Sequence, residues 1–359
     1  MFTFHIVGLP HTQTTRAYCN CAFTELIRKF CDMMKSLGHT VILYAGEENE
    51  AACDELVTCI TRQEQADLIG VTGPDTILRA KYDENTPYWR LFLGRTASAI
   101  RERAQEGDFV CLSSGWAERS IAATFPELCM VEPYCGYAGI LHEGHHVFPS
   151  FSWMNTLYGF WYGPQQGANA IRGRFFDRMI PHFFDVNDFT YREDKENYFA
   201  FIGRLNVDKG IDIAVQVSKD MGIRLVVAGQ GAVPHGVDYR GLAGVEERAR
   251  ILSGARAVFV PSLYTEMFGK VVIEASLSGT PVITTNFGAF PETVVQGVTG
   301  FRCNNYAEFL SAAQHVDNLD SAACRAHGLK FDMQKIRFDY ESYFTDLTKL
   351  RSRQGWYSR

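Results

Sequence analysis

The stretch AVFVPSLYTEMFGKVVIEASLSGTPVITTNFGAFPETVVQGVTGF, residues 257–301, decides how the rest of the chain is read. Ala257–Val260 is an apolar run of strand length, stopped by Pro261 and Ser262. An irregular LYTEMF follows, and Gly269 then opens KVVIEASLSG, a helix closed by Gly279. A helix that starts after a strand and a loop presents unpaired N–H groups and a positive dipole end, which suit a phosphate. Gly269, without a side chain, lets a ligand approach the backbone. Glu266 falls in the loop and Glu274 about two turns beyond, so the two carboxylates flank an anion site rather than forming a dyad. A carboxylate only accepts hydrogen bonds, and beside a phosphate pocket two of them suit the hydroxyls of a sugar and a ribose. A plain βα unit with surface glutamates has the same local outline, so the longer pattern has to discriminate.

That pattern runs Pro261–Ser262, Glu266, Phe268–Gly269, Glu274–Ala275, Gly279–Thr280–Pro281–Val282, Glu292, Gly297 and Gly300. It resembles the donor-binding signature of the family-4 retaining glycosyltransferases (glycosyl transferases group 1), where two glutamates separated by seven residues stand in PS…E-x-FG…EA…GTPV. The resemblance implies an α/β chain of the GT-B fold, two Rossmann-like doubly wound domains facing across a cleft. It also implies a nucleotide-diphosphate sugar bound mainly to the second domain. Glu266 would contact the donor sugar and support oxocarbenium-like charge, Glu274 would hold the ribose, and the backbone around Met267, Phe268 and Gly269 would hold the diphosphate.

Upstream, NYFAFIGRL (197–205) reads as a strand, IDIAVQVSKDM as a helix and IRLVVAGQG as the next strand, which is the rhythm of a parallel doubly wound sheet. Gly203-Arg204 and Lys209-Gly210 resemble the family's GRL…KG motif, in which the Arg and Lys clamp the diphosphate. The chemistry agrees, because two cations and helix-terminal amides offset the charge of a leaving diphosphate without a metal. Surface ion-pairing is the alternative role for Arg204 and Lys209. Gly229 and Gly231 match the family's AGxG turn, and YRG (239–241) precedes a helix, Val245–Ser253, that borders the base pocket in such proteins.

The chain has 359 residues, enough for two domains with proper cores, and its 46% hydrophobic and 21% charged content is that of a soluble globular protein. Residues 1–182 carry 15 Lys/Arg against 20 Asp/Glu and the remainder 20 against 21, so neither half is a nucleic-acid or anionic-membrane domain on bulk charge. Local basic clusters, Arg90, Arg95, Arg101 and Arg103, and Lys349, Arg351, Arg353 and Arg359, read as solvated helix faces. Ten cysteines without a CxxC pair point to reduced, buried thiols in a cytoplasmic protein. No signal peptide or transmembrane segment is expected.

In the first half, FTFHIVGL (2–9), a helix over Thr15–Leu37 and TVILYAG (40–46) make a β-α-β opening, but G-L-P-H-T-Q lacks the dinucleotide glycines. The resemblance places Gly8 against the donor, with Leu9 and His11 as neighbours; His11 reads equally as an exposed loop histidine. AACDELVTCI and YWRLFLGRTASAIRERAQEG look helical, whereas DFVCLSS (108–114) and LCMVEPY (128–134) are strands. Ligands bind beyond the C-terminal ends of such strands, and in the resembling family that edge contributes the acceptor pocket, so the resemblance implies Ser114, Tyr134 and Gly136 as the acceptor side. His142-Glu143-Gly144-His145-His146 fits HExxH, but the surrounding glycines and Pro149 are poor helix material, so a loop near the cleft is expected rather than a zinc site. No metal is expected.

VFPSFSW (147–153) reads as a strand. Ile180-Pro181-His182-Phe183-Phe184-Asp185 resembles the family's interdomain IPNGVD with His and Phe in place of Asn and Gly. The expected domains are 1–181, 182–339, and a terminal helix, 340–359, that either returns to the first domain or stays on its own. The whole reads as a retaining hexosyltransferase using a UDP- or GDP-sugar and no other cofactor. Its acceptor is open: a glycan, a lipid, a small molecule, a protein, or a modified nucleobase in DNA. A GT-B-fold nucleotide-sugar epimerase and a non-catalytic nucleotide-sugar-binding protein are the rivals.

Overall fold

The computed structural model describes residues 1–71, 73–141, 144–162 and 173–351. The chain divides into two compact units. One comprises Met1–Pro149, Leu157–Ile180 and the described part of Ile336–Arg359; the other comprises Ser150–Thr156 and Pro181–Lys335.

Among its described residues the first unit holds seven parallel strands: β1 (Thr3–Val7), β2 (Thr40–Gly46), β3 (Glu55–Ile60), β4 (Phe109–Cys111), β5 (Cys129–Glu132), β6 (His145–Phe148) and β7 (Arg178–Met179). Their order is β3-β2-β1-β4-β5-β6-β7. The second unit holds β8 (Tyr198–Ile202), β9 (Arg224–Ala228), β10 (Asp238–Tyr239), β11 (Ala257–Val260), β12 (Val282–Thr285) and β13 (Gly300–Cys303), ordered β10-β9-β8-β11-β12-β13. In both sheets the strand order reverses direction beside the first strand, which is where doubly wound sheets open a crevice.

The second sheet is buried on both faces, as parallel sheets with helical crossovers are. Side chains alternate along each strand, so Tyr198, Ala200 and Ile202 join one core with Val272, Ile273 and Leu277. Phe199 and Phe201 join the opposite core with Ile211, Ala214 and Phe309.

The terminal helix Met333–Arg351 extends into the first unit. Tyr340, Tyr343, Phe344 and Leu347 recur at helical spacing and are fully buried. The Phe344 ring meets those of Phe4 and Phe109 edge-on at 4.7 and 4.8 Å.

Several local expectations change. ELVTCI within the expected helix AACDELVTCI is the edge strand β3, paired with β2 from Ile42↔Glu55 onward. Its Val, Thr and Ile favour a pleated surface, and the partner strand supplies the ladder. The first helix is shorter than expected: Arg16–Tyr18 is a 3₁₀ turn and the α-helix runs Ala22–Ser36. The strand expected over 147–153 ends at Phe148, and Phe151–Tyr162 is a helix. Its first turn is capped from far along the chain: the Glu292 carboxylate accepts the N–H groups of Phe151 (2.9 Å) and Ser152 (2.8 Å). Arg95 and Arg103 of the basic cluster pair with Glu64 and Glu55, each at 2.8 Å. Arg353 and Arg359 lie outside the described residues.

His142 and Glu143 of the HExxH match also lie outside them. His145 and His146 stand on β6, on a strand rather than in the expected loop. His146 is fully buried, with Nδ1 3.0 Å from Asp177 Oδ1 and Nε2 3.1 Å from Glu132 Oε2 and 2.6 Å from the Leu141 carbonyl. Every one of these oxygens only accepts, so both ring nitrogens donate and the imidazole is charged. Burial by itself lowers its pKa, but the Asp177 and Glu132 carboxylates outweigh it and raise it to about 9. The folded pKa lies above that of an unfolded histidine, so this stabilisation is complete below pH ~6.5 and lost as pH rises through about 9. Melting curves across that window should show the wild-type midpoint falling relative to His146→Gln, which binds no proton. A constant gap between the two proteins would mean that His146 is neutral.

Candidate functional site

The C-terminal edge of the second sheet gathers four loops. The loop after β11, Pro261 to Gly269, leads into helix Lys270–Leu277. The loop after β8 carries Arg204 and a 3₁₀ turn, Val207–Lys209, capped by Asn206, whose side chain accepts the Lys209 N–H at 3.1 Å. These two loops are tied by the Leu263 N–H donating to the Asp208 carbonyl at 2.8 Å. The β8 loop is tied to the one after β9 by the Leu205 N–H donating to the Gln230 carbonyl at 2.7 Å.

Glu266, 6% exposed, sits where the loops after β8, β11 and β12 meet. Its Oε2 accepts from Ser262 Oγ at 2.8 Å and from Lys209 Nζ at 2.9 Å. Lys209 also donates to the Tyr264 hydroxyl and lies 4.8 Å above that ring. The Tyr264 hydroxyl is pushed well above its ordinary pKa, first by burial and then by Glu266, while Arg204, hydrogen-bonded to it, acts in the opposite direction. Arg204, Lys209, Tyr264 and Glu266 are therefore one cluster, with two cations against one carboxylate.

Glu274, on the helix, is 3% exposed. Arg248 Nη1 lies 3.2 Å from each of its oxygens, which fixes the carboxylate's orientation from helix Val245–Gly254. Met267 is half-buried and Phe268 is 1% exposed, packed against Phe184 and Phe331 as the loop's apolar anchor. Gly269 adopts φ +77°, and a Cβ there would lie 2.8 Å from the Phe290 ring, so both backbone and space require glycine.

The sequence reading brought together Glu266, Met267, Phe268, Gly269, Glu274, Arg204 and Lys209, and the second unit places them at one sheet edge. It missed Tyr264, Arg248 and Gly288. Gly288, in the loop after β12, has φ +64°, and a Cβ on it would stand 2.8 Å from the Glu266 N. Ala289 N–H donates to the Glu266 carbonyl at 3.0 Å, so this loop holds the backbone of Glu266 from behind. The NFGAF glycine was its only local signal.

Gly8, Ser114, Tyr134 and Gly136 belong to the first unit. Several of their polar groups are engaged there, but the buried Ser114 Oγ has no hydrogen-bond partner among the described residues. Gly8 N–H donates to the Tyr44 carbonyl at 2.8 Å, and Ser114 N–H donates to Glu118 Oε2 at 2.5 Å. Tyr134 is 2% exposed with its hydroxyl 2.9 Å from Ser113 Oγ, and Gly136 is buried in the following turn. His11 is buried rather than an exposed loop histidine, and burial lowers its pKa to about 4. Gln65, another residue the sequence reading passed over, fixes its loop by donating to the carbonyls of Pro10 (2.9 Å) and Thr12 (3.1 Å).

Residues 185–319 match the family described as Glycosyl transferases group 1. Over 161 residues the chain is 29% identical to the glycogen synthase of Mycobacterium tuberculosis, covering 39% of this chain and 38% of that protein. Over 132 residues it is 33% identical to the D-inositol 3-phosphate glycosyltransferase of Corynebacterium glutamicum, covering 30% and 31%. These alignments thus span well under half of the relatives' own length. Among solved structures, AviGT4, a glycosyltransferase involved in avilamycin A biosynthesis, superposes with TM-score 0.67 at 18% identity, over 97% of this chain and 98% of that one. Anabaena Alr3699/HepE, solved in complex with UDP and glucose, gives 0.63 at 13% identity, over 96% and 100%. The fold is that of the GT-B glycosyltransferases, with two Rossmann-like domains.

Gly288→Ala should destabilise the second unit by about 1–2 kcal/mol through its left-handed backbone, and more through the contact with Glu266. Urea unfolding checks this; an unchanged midpoint would mean that the loop moves aside freely.

Proposed function

We propose that this chain is a retaining hexosyltransferase using a nucleotide-diphosphate sugar, a reading supported by the match of residues 185–319 to the glycosyl transferases group 1 family. The observation that carries the proposal is the Arg204–Lys209–Tyr264–Glu266 cluster beside the N-terminus of helix Lys270–Leu277. Arg204 and Lys209 offset the charge that develops on the leaving diphosphate, and first-turn amides of the helix add to them. Glu274, oriented by Arg248, accepts from the ribose hydroxyls.

Glu266 accepts from donor-sugar hydroxyls and supports positive charge near the anomeric carbon. The bond from that carbon to the diphosphate oxygen breaks as the acceptor oxygen arrives on the same face. The departing phosphate takes the acceptor's proton, which gives retention without a second carboxylate. The donor is a UDP- or GDP-sugar. UDP is the first to test, because HepE, of the same fold, is complexed with it. The acceptor classes stay as open as the sequence leaves them.

Thermal shift against UDP, GDP, their sugar conjugates and NAD(P) tests the donor. Ligand at ~100 times its dissociation constant adds about 2.7 kcal/mol, enough to move the midpoint visibly. A shift with one diphosphate and its sugar conjugate is expected; a response to NAD(P) alone would overturn the reading. Glu266→Ala should abolish transfer while melting as a folded protein, and Arg204→Ala and Lys209→Ala should chiefly weaken donor binding. Normal transfer by Glu266→Ala would remove the mechanism.

A further inference from the structure

The second unit contains a buried histidine that the cluster above does not engage. His182 is 3% exposed, and neither Nδ1 nor Nε2 has a hydrogen-bond partner among the described residues. Its ring lies against Phe268, with centroids 4.9 Å apart and planes at 51°. Burial, and then the charge of Lys270, lower its pKa to about 3, so the ring is neutral. The imidazole thus lies against Phe268 and feels the charge of Lys270, the residues on either side of the N-cap Gly269 of helix Lys270–Leu277.

A neutral imidazole carries one N–H donor and one lone pair. Burying both without partners costs free energy that a phenyl ring in the same place would not, and such a group calls for an explanation. A ligand supplies one. The helix N-terminus favours an anion, and a neutral N–H beside it adds to that preference without the repulsion that a further cation would meet from Lys270.

We infer that His182 is a ligand-binding residue of this site, its ring N–H donating to a phosphate oxygen of the nucleoside diphosphate held at the start of helix Lys270–Leu277. The inference rests on the donor reading above and adds to Arg204 and Lys209 a donor that carries no charge.

His182→Phe keeps a ring against Phe268 and removes both nitrogens, whereas His182→Asn keeps an N–H. Calorimetric titrations with UDP, GDP and inorganic pyrophosphate, and melting curves without ligand, separate the roles. The phenylalanine variant should melt at or above the wild-type temperature and yet bind the diphosphate roughly tenfold or more weakly, because it lacks a charge-assisted hydrogen bond. Pyrophosphate should lose affinity by a similar factor, since the contact is to phosphate, and the asparagine variant should keep most of the affinity. Unchanged diphosphate binding by His182→Phe, a lower melting temperature for it, or equal loss in both variants would assign the histidine to packing and overturn the inference. Wild-type protein that binds none of the three ligands would instead remove the donor reading, and this inference with it.

Discussion

The Lys209–Glu266 ion pair is the interaction on which the second unit's sheet edge depends. It joins the loop after β8 to the loop after β11, two neighbouring strands at the point where the strand order reverses. Side-chain exposures of 20% and 8% leave the pair partly desolvated, where attraction and lost hydration come close to cancelling. Its value is therefore positional. Ser262 fixes the carboxylate from one side, and Gly288 and Ala289 fix its backbone from another, so Lys209 meets a Glu266 that has little freedom to follow it. On the donor reading proposed above, a cation held in this way changes partner when the diphosphate arrives, without the loop having to reorganise.

The His146 network of the first unit and the Glu266 cluster of the second treat buried charge in opposite ways. In the first, the His146 imidazolium meets oxygen at both nitrogens, and its carboxylate partners receive further hydrogen bonds from Tyr137, Leu141 and Tyr158. A network so fully satisfied specifies structure, because any rearrangement leaves a buried charge without a partner. In the second, the cluster carries two cations against one carboxylate, and the imidazole of His182 has no partner at all among the described residues. Incomplete satisfaction at a sheet edge, beside a helix N-terminus, is the physical sign of a place prepared for an anion.

What could be read from the sequence follows from the same division. Arg204, Lys209, Glu266 and Glu274 were legible because each stands at a fixed distance from a strand end or helix start, and the chain order there is the spatial order. Tyr264 stands inside the quoted stretch, but nothing local distinguishes a tyrosine that hydrogen-bonds two cations from one that packs. Gly288 acts on the Glu266 backbone from the next strand's loop, and Arg248 reaches Glu274 from another helix; both contacts exist only after the sheet has formed. The same holds for helix Phe151–Tyr162, whose cap is Glu292, about 140 residues further on. Without that carboxylate in view, an aromatic run after an apolar strand reads as more strand. ELVTCI was hidden differently: six residues carry too little periodicity to separate an edge strand from a helical turn.

The expected acceptor residues show what strand ends by themselves leave open. Strand topology put Ser114, Tyr134 and Gly136 at the right edge of the first sheet, but topology does not say whether a group there is offered or already engaged. Ser113 and Ser114 both turn their N–H groups to Glu118, a carboxylate whose pKa burial raises far above its ordinary value. Tyr134 closes the same turn from inside through Ser113. Ser113 and Tyr134 thereby fix the turn from inside, while the Ser114 hydroxyl has no hydrogen-bond partner among the described residues. Side chains that face outward there, such as Trp116 at 47% exposure on the turn that follows Ser114, owe their placement to this interior scaffold. Recognition at the edge of a doubly wound sheet thus divides between buried polar groups that fix the loops and exposed ones the loops present.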